Sequence, residues 1–200
     1  MIKNIVFDIG RVLLEFNPKE YLLKKYKDET LASELHSAIF TTDEWLELDK
    51  GSITDEEAIE IFSKRHAGHK MQIEEIMKDW HNILIPIEGT VCLLKKLKIN
   101  GYKIVLLSNF HLKAFEIVYN RYPFFRLADE MIISSRIKLL KPNREIYQHM
   151  LSTLSILPEE SLFIDDTLVN IEGAKKLGIN AVQFISSEQL EIELIKLNLL

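Results

Sequence analysis

One cysteine, seven glycines and five prolines are all that the 200 residues hold of the types that staple or break a chain. A lone thiol, Cys92, closes no internal disulfide, so the fold does not depend on an oxidising compartment. Cys92 lies in the apolar helical stretch Val91-Cys92-Leu93-Leu94. A buried, unreactive thiol is expected there, because a reactive one needs a cationic and accessible setting. So little glycine and proline excludes a collagen-like or low-complexity chain. Positive charge is not in excess either: 25 Lys and Arg against 30 Asp and Glu leave a net charge of −5, without the footprint of a nucleic-acid binder. No apolar run approaches the ~20 residues that a membrane-spanning helix needs. The opening Met1-Ile2-Lys3-Asn4-Ile5-Val6-Phe7-Asp8 reaches an acid before a signal-peptide core could form. A cytoplasmic protein that engages neither nucleic acid nor membrane is the expectation.

What is present is the balance of a globular chain, with 47% hydrophobic and 28% charged residues. Its length suits one domain, or one domain with a modest insertion. Short runs rich in β-branched and aromatic residues read as strands: Ile5-Val6-Phe7, Lys103–Leu107, Met131–Ile133, Leu162–Ile164 and Ala181–Phe184. Continuous apolar runs of this kind suit strands buried on both faces of a parallel sheet. From residue 88 onward they alternate with helical patterns over roughly 88–99, 111–121, 143–155, 168–177 and 187–198. The fold class expected is therefore α/β, a doubly wound, Rossmann-like parallel sheet. Gly101 and Gly178 each close a Lys-rich helix just before a strand.

Residues 15–87 differ. Helical spacing recurs in Leu31, Leu35 and Ile39, in Ile59 and Phe62, and in Ile73, Ile76, Met77 and Trp80. Asn17-Pro18, Thr42-Asp43-Glu44 and Thr54-Asp55-Glu56-Glu57 are helix starts. A helical block over 15–87, inserted into an α/β core of 1–14 and 88–200, is the expected domain plan.

Ligands of open parallel sheets bind beyond the carboxyl ends of the strands. Four polar signals fall at that edge: Asp8, Ser108-Asn109, Lys141-Pro142 and Asp165-Asp166. Each alone has a plain structural account. Asp8 ends a strand, Ser108 or Asn109 caps the helix near His111, Asp166 or Thr167 caps the helix near Leu168, and Lys141 is a loop charge. Together they are chemically complete. Three carboxylates about one point cannot all stay ionised without a cation, and hard oxygen ligands favour Mg²⁺, which keeps waters and shares a phosphate. A lysine and a hydroxyl supply what phosphoryl oxygens need.

The order Asp8-Ile9-Gly10, Ser108-Asn109, Lys141-Pro142, Asp165-Asp166 resembles the four motifs of the haloacid dehalogenase superfamily of phosphohydrolases. The segments Lys141–Met150 and Phe163–Ile179 are most similar to the branch that includes the α-D-glucose-1-phosphate phosphatases. The resemblance spans the chain, and the helical block falls where that superfamily carries a small helical cap. It implies Asp8 as a nucleophile that forms an aspartyl-phosphate. It further implies Ser108, with Asn109 nearby, on a phosphoryl oxygen, and Lys141 neutralising both the phosphoryl group and Asp8. Mg²⁺ is the implied cofactor, held by Asp8, the Gly10 carbonyl and Asp166, with Asp165 ligating or orienting a water. The implied partner is a small phosphorylated metabolite, such as a hexose 1-phosphate.

The pattern departs from the superfamily at Gly10, where most members carry an aspartate that serves as general acid and base, a service worth ~10²–10⁴-fold. An anomeric leaving oxygen, being more acidic than an ordinary alcohol, asks less of such a donor. His111, three residues after Ser108, is a candidate substitute acid or a structural residue at a helix start. Arg11 is a bidentate phosphate ligand or an exposed loop charge. Trp45, Trp80, His66, His69 and Lys70 are candidate substrate contacts from the helical block, although Trp80 is in phase with a packing stripe. The missing acid also admits a non-catalytic phosphate- or metal-binding regulator. Carbon–halogen hydrolysis needs no metal and has no use for paired acids. Ile192, Ile195, Leu199 and Leu200 pack either within the chain or against a partner, which leaves the oligomeric state open.

Overall fold

Asn4–Phe7, the first β-branched and aromatic run, becomes the central strand β1 of a five-stranded sheet. The computed structural model describes all 200 residues. After β1 come five helices, α1 (Pro18–Tyr26), α2 (Glu29–Ile39), α3 (Asp43–Lys50), α4 (Asp55–Arg65) and α5 (Lys70–Asp79). The rest alternates: α6 (Glu88–Ile99), β2 (Lys103–Ser108), α7 (Leu112–Arg121), β3 (Glu130–Ile133), α8 (Ser134–Ile137), α9 (Arg144–Leu154), β4 (Ser161–Asp165), α10 (Leu168–Lys175), β5 (Asn180–Gln183) and α11 (Ser187–Lys196). The strand order is β3-β2-β1-β4-β5 with every pairing parallel, which makes the sheet doubly wound as expected. Only the short α8 falls outside both the helical patterns and the helix starts read from the sequence.

Alternation along the strands divides the core in two. Ile5, Phe7, Ile104, Leu106, Leu162 and Ile164 face α6, α7 and α11, whereas Val6, Val105, Leu107 and Phe163 face α9 and α10. Burying each such side chain stabilises the fold by about 1.5–3 kcal/mol. β5 is a correction to the expectation of two buried faces: it lies at one of the sheet's two edges, and Asn180 and Gln183 are exposed. Cys92 is a second correction. Thr90, Val91, Leu93, Leu94 and Leu97 form the inner face of α6, and Cys92 falls outside that stripe and is exposed. At the C-terminus Leu190, Leu194 and Leu199 turn inward, while Ile192 and Ile195 stay exposed.

The helices of 15–87 start where their caps dictate. Asn17 accepts from the Glu20 N–H ahead of Pro18, Thr42 from the Trp45 N–H, and Thr54 and Glu57 close a reciprocal capping box. Their apolar faces join the sheet's larger core: Leu22, Leu35, Trp45, Phe62, Ile73 and Trp80 belong to one continuous cluster with Phe7, Ile9 and Phe115. α3 ends against α8, where Gly51 (φ +71°) sits so close to the Ser135 carbonyl that any Cβ would run into it. The Ser134 hydroxyl donates to the Asp49 carbonyl at the same place. No helix is long and apolar enough to cross a membrane.

Candidate active site

The strands deliver their polar residues to one point. Asp8 follows β1 with its N–H bonded to the Ile164 carbonyl at 2.9 Å, so the ends of β1 and β4 are locked together. Ser108 and Asp165 close β2 and β4, and Lys141 stands in the turn before α9. Lys141 Nζ lies 2.9 Å from Asp8 Oδ1 and 2.6 Å from Asp165 Oδ2, with its side chain 1% exposed. The Ile9 N–H also donates to Asp8 Oδ1 at 2.7 Å, which leaves Oδ2 outside both contacts. Asp165, wholly buried, accepts from Lys141, from the Thr167 N–H at 2.8 Å and from the Asn170 amide at 3.1 Å. Neither bland capping account holds, since α7 and α10 begin without any side-chain cap.

Charge in this cluster is out of balance. Oxygens of Asp8, Asp165 and Asp166 all lie within 4.8 Å of one another. Burial raises the Asp8 carboxyl well above its ordinary range, Asp165 adds to the rise, and Lys141 and Ser108 only partly oppose it. Asp166 is likewise raised by burial and by Asp165, against the pull of Arg11. Burial alone would lower the Lys141 ammonium, but Asp8 and Asp165 reverse that and hold it high. One ammonium and one guanidinium do not neutralise three carboxylates, so this donor set fits a hard divalent cation.

Two neighbours hold the lysine in place. The Asn109 side chain donates to the Lys141 carbonyl and accepts from its N–H, each at 2.9 Å. The Asn109 side-chain amide is thus spent on the Lys141 main chain and acts as a positioning group, which leaves the backbone of Asn109 for the substrate contact that the resemblance implies. Behind the turn, a Cβ at Gly173 would lie 2.8 Å from the Pro142 carbonyl, so α10 can approach Lys141-Pro142 only with glycine there. Tyr147 donates to the Asn170 carbonyl at 2.8 Å and so ties α9 to the residue that holds Asp165.

Arg11 has a left-handed backbone (φ 57°), its Nε donates to the Phe16 carbonyl at 3.2 Å, and its guanidinium is 3.8 Å from Asp166. It borders a hollow of about 530 Å³ lined also by Glu15, Phe16, Asn17, Ser186 and Ser187. Gly10 has nothing within 4 Å of where a Cβ would stand.

Other candidates are placed elsewhere. His111 is no substitute acid: burial between Trp45 and Trp80 pushes its imidazole down to about 3, so it is neutral at physiological pH. Trp45 and Trp80 are packed core residues, 7% and 5% exposed. His66 and His69 line a separate surface hollow with Thr30 and Glu34, and Lys70 pairs with Glu74. The sequence reading passed over Asp49. It follows Trp45 by four residues and Leu48 by one, so an acid falls in phase with a buried stripe, and that phase was the available signal.

A family model described as haloacid dehalogenase-like hydrolase matches residues 5–184. The chain belongs to the haloacid dehalogenase-like hydrolases. This hydrolase is 27% identical to the D-ribitol-5-phosphate phosphatase of Bacteroides thetaiotaomicron, over 92% of each chain. It is 23% identical, over 97% of its own length, to a drimenol cyclase of Aspergillus calidoustus, and it spans 36% of that larger protein. Among solved structures, the same fold is seen in the haloacid dehalogenase family enzyme bt-2542 of Bacteroides thetaiotaomicron, in complex with magnesium and inorganic phosphate. That comparison gives a TM-score of 0.72 at 25% identity, covering 93% of this chain and 96% of the other.

Proposed function

We propose that this hydrolase is a Mg²⁺-dependent phosphatase that cleaves a small phosphorylated metabolite through an aspartyl-phosphate on Asp8. The observation that carries the reading is the buried Lys141 ammonium shared by Asp8 and Asp165 in a site of three converging carboxylates. Asp8, Asp165, Asp166 and the Gly10 carbonyl are the residues to hold Mg²⁺. The ion supplies positive charge that offsets the carboxylates and the incoming ester. Asp8 Oδ2 attacks phosphorus while Lys141 and the Ser108 hydroxyl balance charge on the phosphoryl oxygens. Asn109, Asn170 and the Thr167 N–H hold Lys141 and Asp165 at fixed positions, which is the larger part of what phosphoryl transfer asks of a protein. Residues 15–87 serve as a cap on the core of 1–14 and 88–200 and keep water from the reacting group.

The substrate class we favour is a sugar phosphate, and within it a hexose 1-phosphate. The relative that acts on D-ribitol 5-phosphate supports the class. So does the hollow beside Arg11, where Glu15, Asn17, Ser186 and Ser187 offer partners for hydroxyl groups. With no carboxyl at position 10, the more acidic anomeric oxygen is the leaving group that asks least of whatever donor the site supplies. The reaction is assigned to the cytoplasm, with neither nucleic acid nor membrane as partner.

A phosphate-release screen over sugar phosphates and an apolar alkyl phosphate, with and without Mg²⁺ and with Asp8→Asn as blank, tests the proposal. Mg²⁺-dependent release that Asp8→Asn abolishes is expected, with the highest kcat/KM on a hexose 1-phosphate. Equal kcat/KM on 6-phosphates removes the anomeric preference. Absence of release from every monoester overturns the reading in favour of a phosphate-binding regulator.

A further inference from the structure

We propose that Asp49, contributed by the helical insertion, is the proton donor to the leaving group, in place of the carboxyl that position 10 lacks. The inference rests on the phosphatase reading and concerns the same site. An in-line displacement puts the departing oxygen on the far side of phosphorus from Asp8. The core supplies Asp8, Lys141, Asp165 and Asp166 from beneath, so a donor for that oxygen must come from what covers them. The end of α3 is fastened there by two contacts: Gly51 abuts the Ser135 main chain, and the Asp49 carbonyl accepts from the Ser134 hydroxyl. The same hydroxyl accepts from the Phe110 N–H at 2.9 Å, so this rigid helix end holds Asp49 against the segment that follows Ser108. Its side chain is 16% exposed, and Oδ1 lies 3.3 Å from His111 Nε2.

The groups facing Asp49 favour its protonated form. His111, across from it at the start of α7, is neutral and brings no cation. Neither ring nitrogen of His111 has a hydrogen-bond partner, although both are buried. Asp8, at the end of β1, disfavours a second negative charge, and Lys141 offsets this only in part. Asp55 of α4 and Lys113 of α7, beside the adjoining hollow, satisfy each other at 3.5 Å. Burial is the largest influence, and together these push the Asp49 carboxyl up to about 8. The carboxyl thus still carries its proton at neutral pH, as a general acid must.

The steps balance. As Asp8 forms its bond to phosphorus and the ester P–O bond breaks, the Asp49 proton passes to the departing oxygen and an alcohol leaves. Asp49, now a carboxylate, takes a proton from the water that attacks the aspartyl-phosphate. The bond from phosphorus to Asp8 breaks, phosphate leaves, and both carboxyl groups return to their starting states.

The test compares wild type, Asp49→Asn and Asp49→Glu with Mg²⁺ on a sugar phosphate and on p-nitrophenyl phosphate, whose leaving group departs without protonation. Expected for Asp49→Asn is a ~10²–10⁴-fold fall in kcat/KM on the sugar phosphate, a loss at least tenfold smaller on the aryl ester, and disappearance of the alkaline limb of the sugar-phosphate pH profile. Asp49→Glu restores part of the sugar-phosphate rate. Thermal unfolding of Asp49→Asn at pH 8 no lower than wild type, since a desolvated ionisable group has been removed, shows that the variant is folded. Equal losses on both esters, a loss under tenfold on the sugar phosphate, or a surviving alkaline limb overturns the assignment of Asp49 and leaves the phosphatase reading intact. A wild type that releases phosphate from neither ester overturns that reading itself, and the role of Asp49 with it.

Discussion

Removing the ammonium at the centre of the site should destabilise the metal-free protein, and by a predictable amount. In Lys141→Ala, Asp8 and Asp165 lose contacts of 2.9 and 2.6 Å in surroundings where the lysine was 1% exposed and Asp165 is wholly buried. Removing one partner of a buried ion pair costs about 3–5 kcal/mol. For a chain of this length each kcal/mol moves the midpoint by about 2–4 °C, so Tm should fall by roughly 6–20 °C at pH 8 in chelator. The carboxylates have an escape, which is to bind protons. Asp8 is already raised by burial, and without Lys141 it rises further above its unfolded value of about 3.9. The folded variant then holds a proton that the unfolded chain releases, so acidification favours the folded state and the deficit shrinks at pH 5. Mg²⁺ should likewise raise the variant's Tm more than the wild type's. Circular dichroism melts at both pH values, with chelator or Mg²⁺, decide the matter. A midpoint within about 2 °C of wild type at pH 8, or a deficit that grows at pH 5, refutes the electrostatic account.

The metal-free wild type should itself lose stability between about pH 7.5 and 9. The lowered His36, His81 and His111 add stability as pH rises through their unfolded value of about 6.5, a gain complete by about pH 7.5, and beyond it the raised carboxyls Asp8 and Asp49 set the slope: protons held only by the folded state are lost as pH rises. Urea midpoints across that range, flattened by Mg²⁺, are the check. Gly173→Ala should cost about 1–3 kcal/mol through overpacking against the Pro142 carbonyl and Tyr147, and should lower phosphate release by displacing Lys141. Gly10→Ala, with open space around the new Cβ, should not lower the unfolding midpoint.

Much of the fold was legible because its signals are local. The strand runs Ile5–Phe7 and Leu162–Ile164 lie within β1 and β4, and Asn17, Thr42 and Thr54 cap the helices they were expected to begin. Asp8, Ser108, Lys141 and Asp165-Asp166 were legible as a set because strand ends in a parallel sheet share an edge. What escaped notice depends on packing at a distance. The exposure of Cys92 turns on which helical stripe meets the sheet. The neutrality of His111 comes from two tryptophans, 66 and 31 residues earlier in the chain, that enclose it. The engagement of the Asn109 side chain could not be read locally either, because its partner Lys141 lies 32 residues away. Asp49 is an ordinary helical acid in sequence; only the packing of α3 against α8 and His111 sets it inward.

The unbroken apolar cluster that runs from Phe7, Ile9 and Phe115 into Leu35, Trp45 and Ile73 has a practical corollary for protein engineers. A chimaera that grafts only residues 15–87 onto a related sheet would leave Ile9, Leu13 and Leu14 facing mismatched side chains. Transplanting the helical block therefore requires moving the seam with it, and the seam includes the residues that immediately follow Asp8.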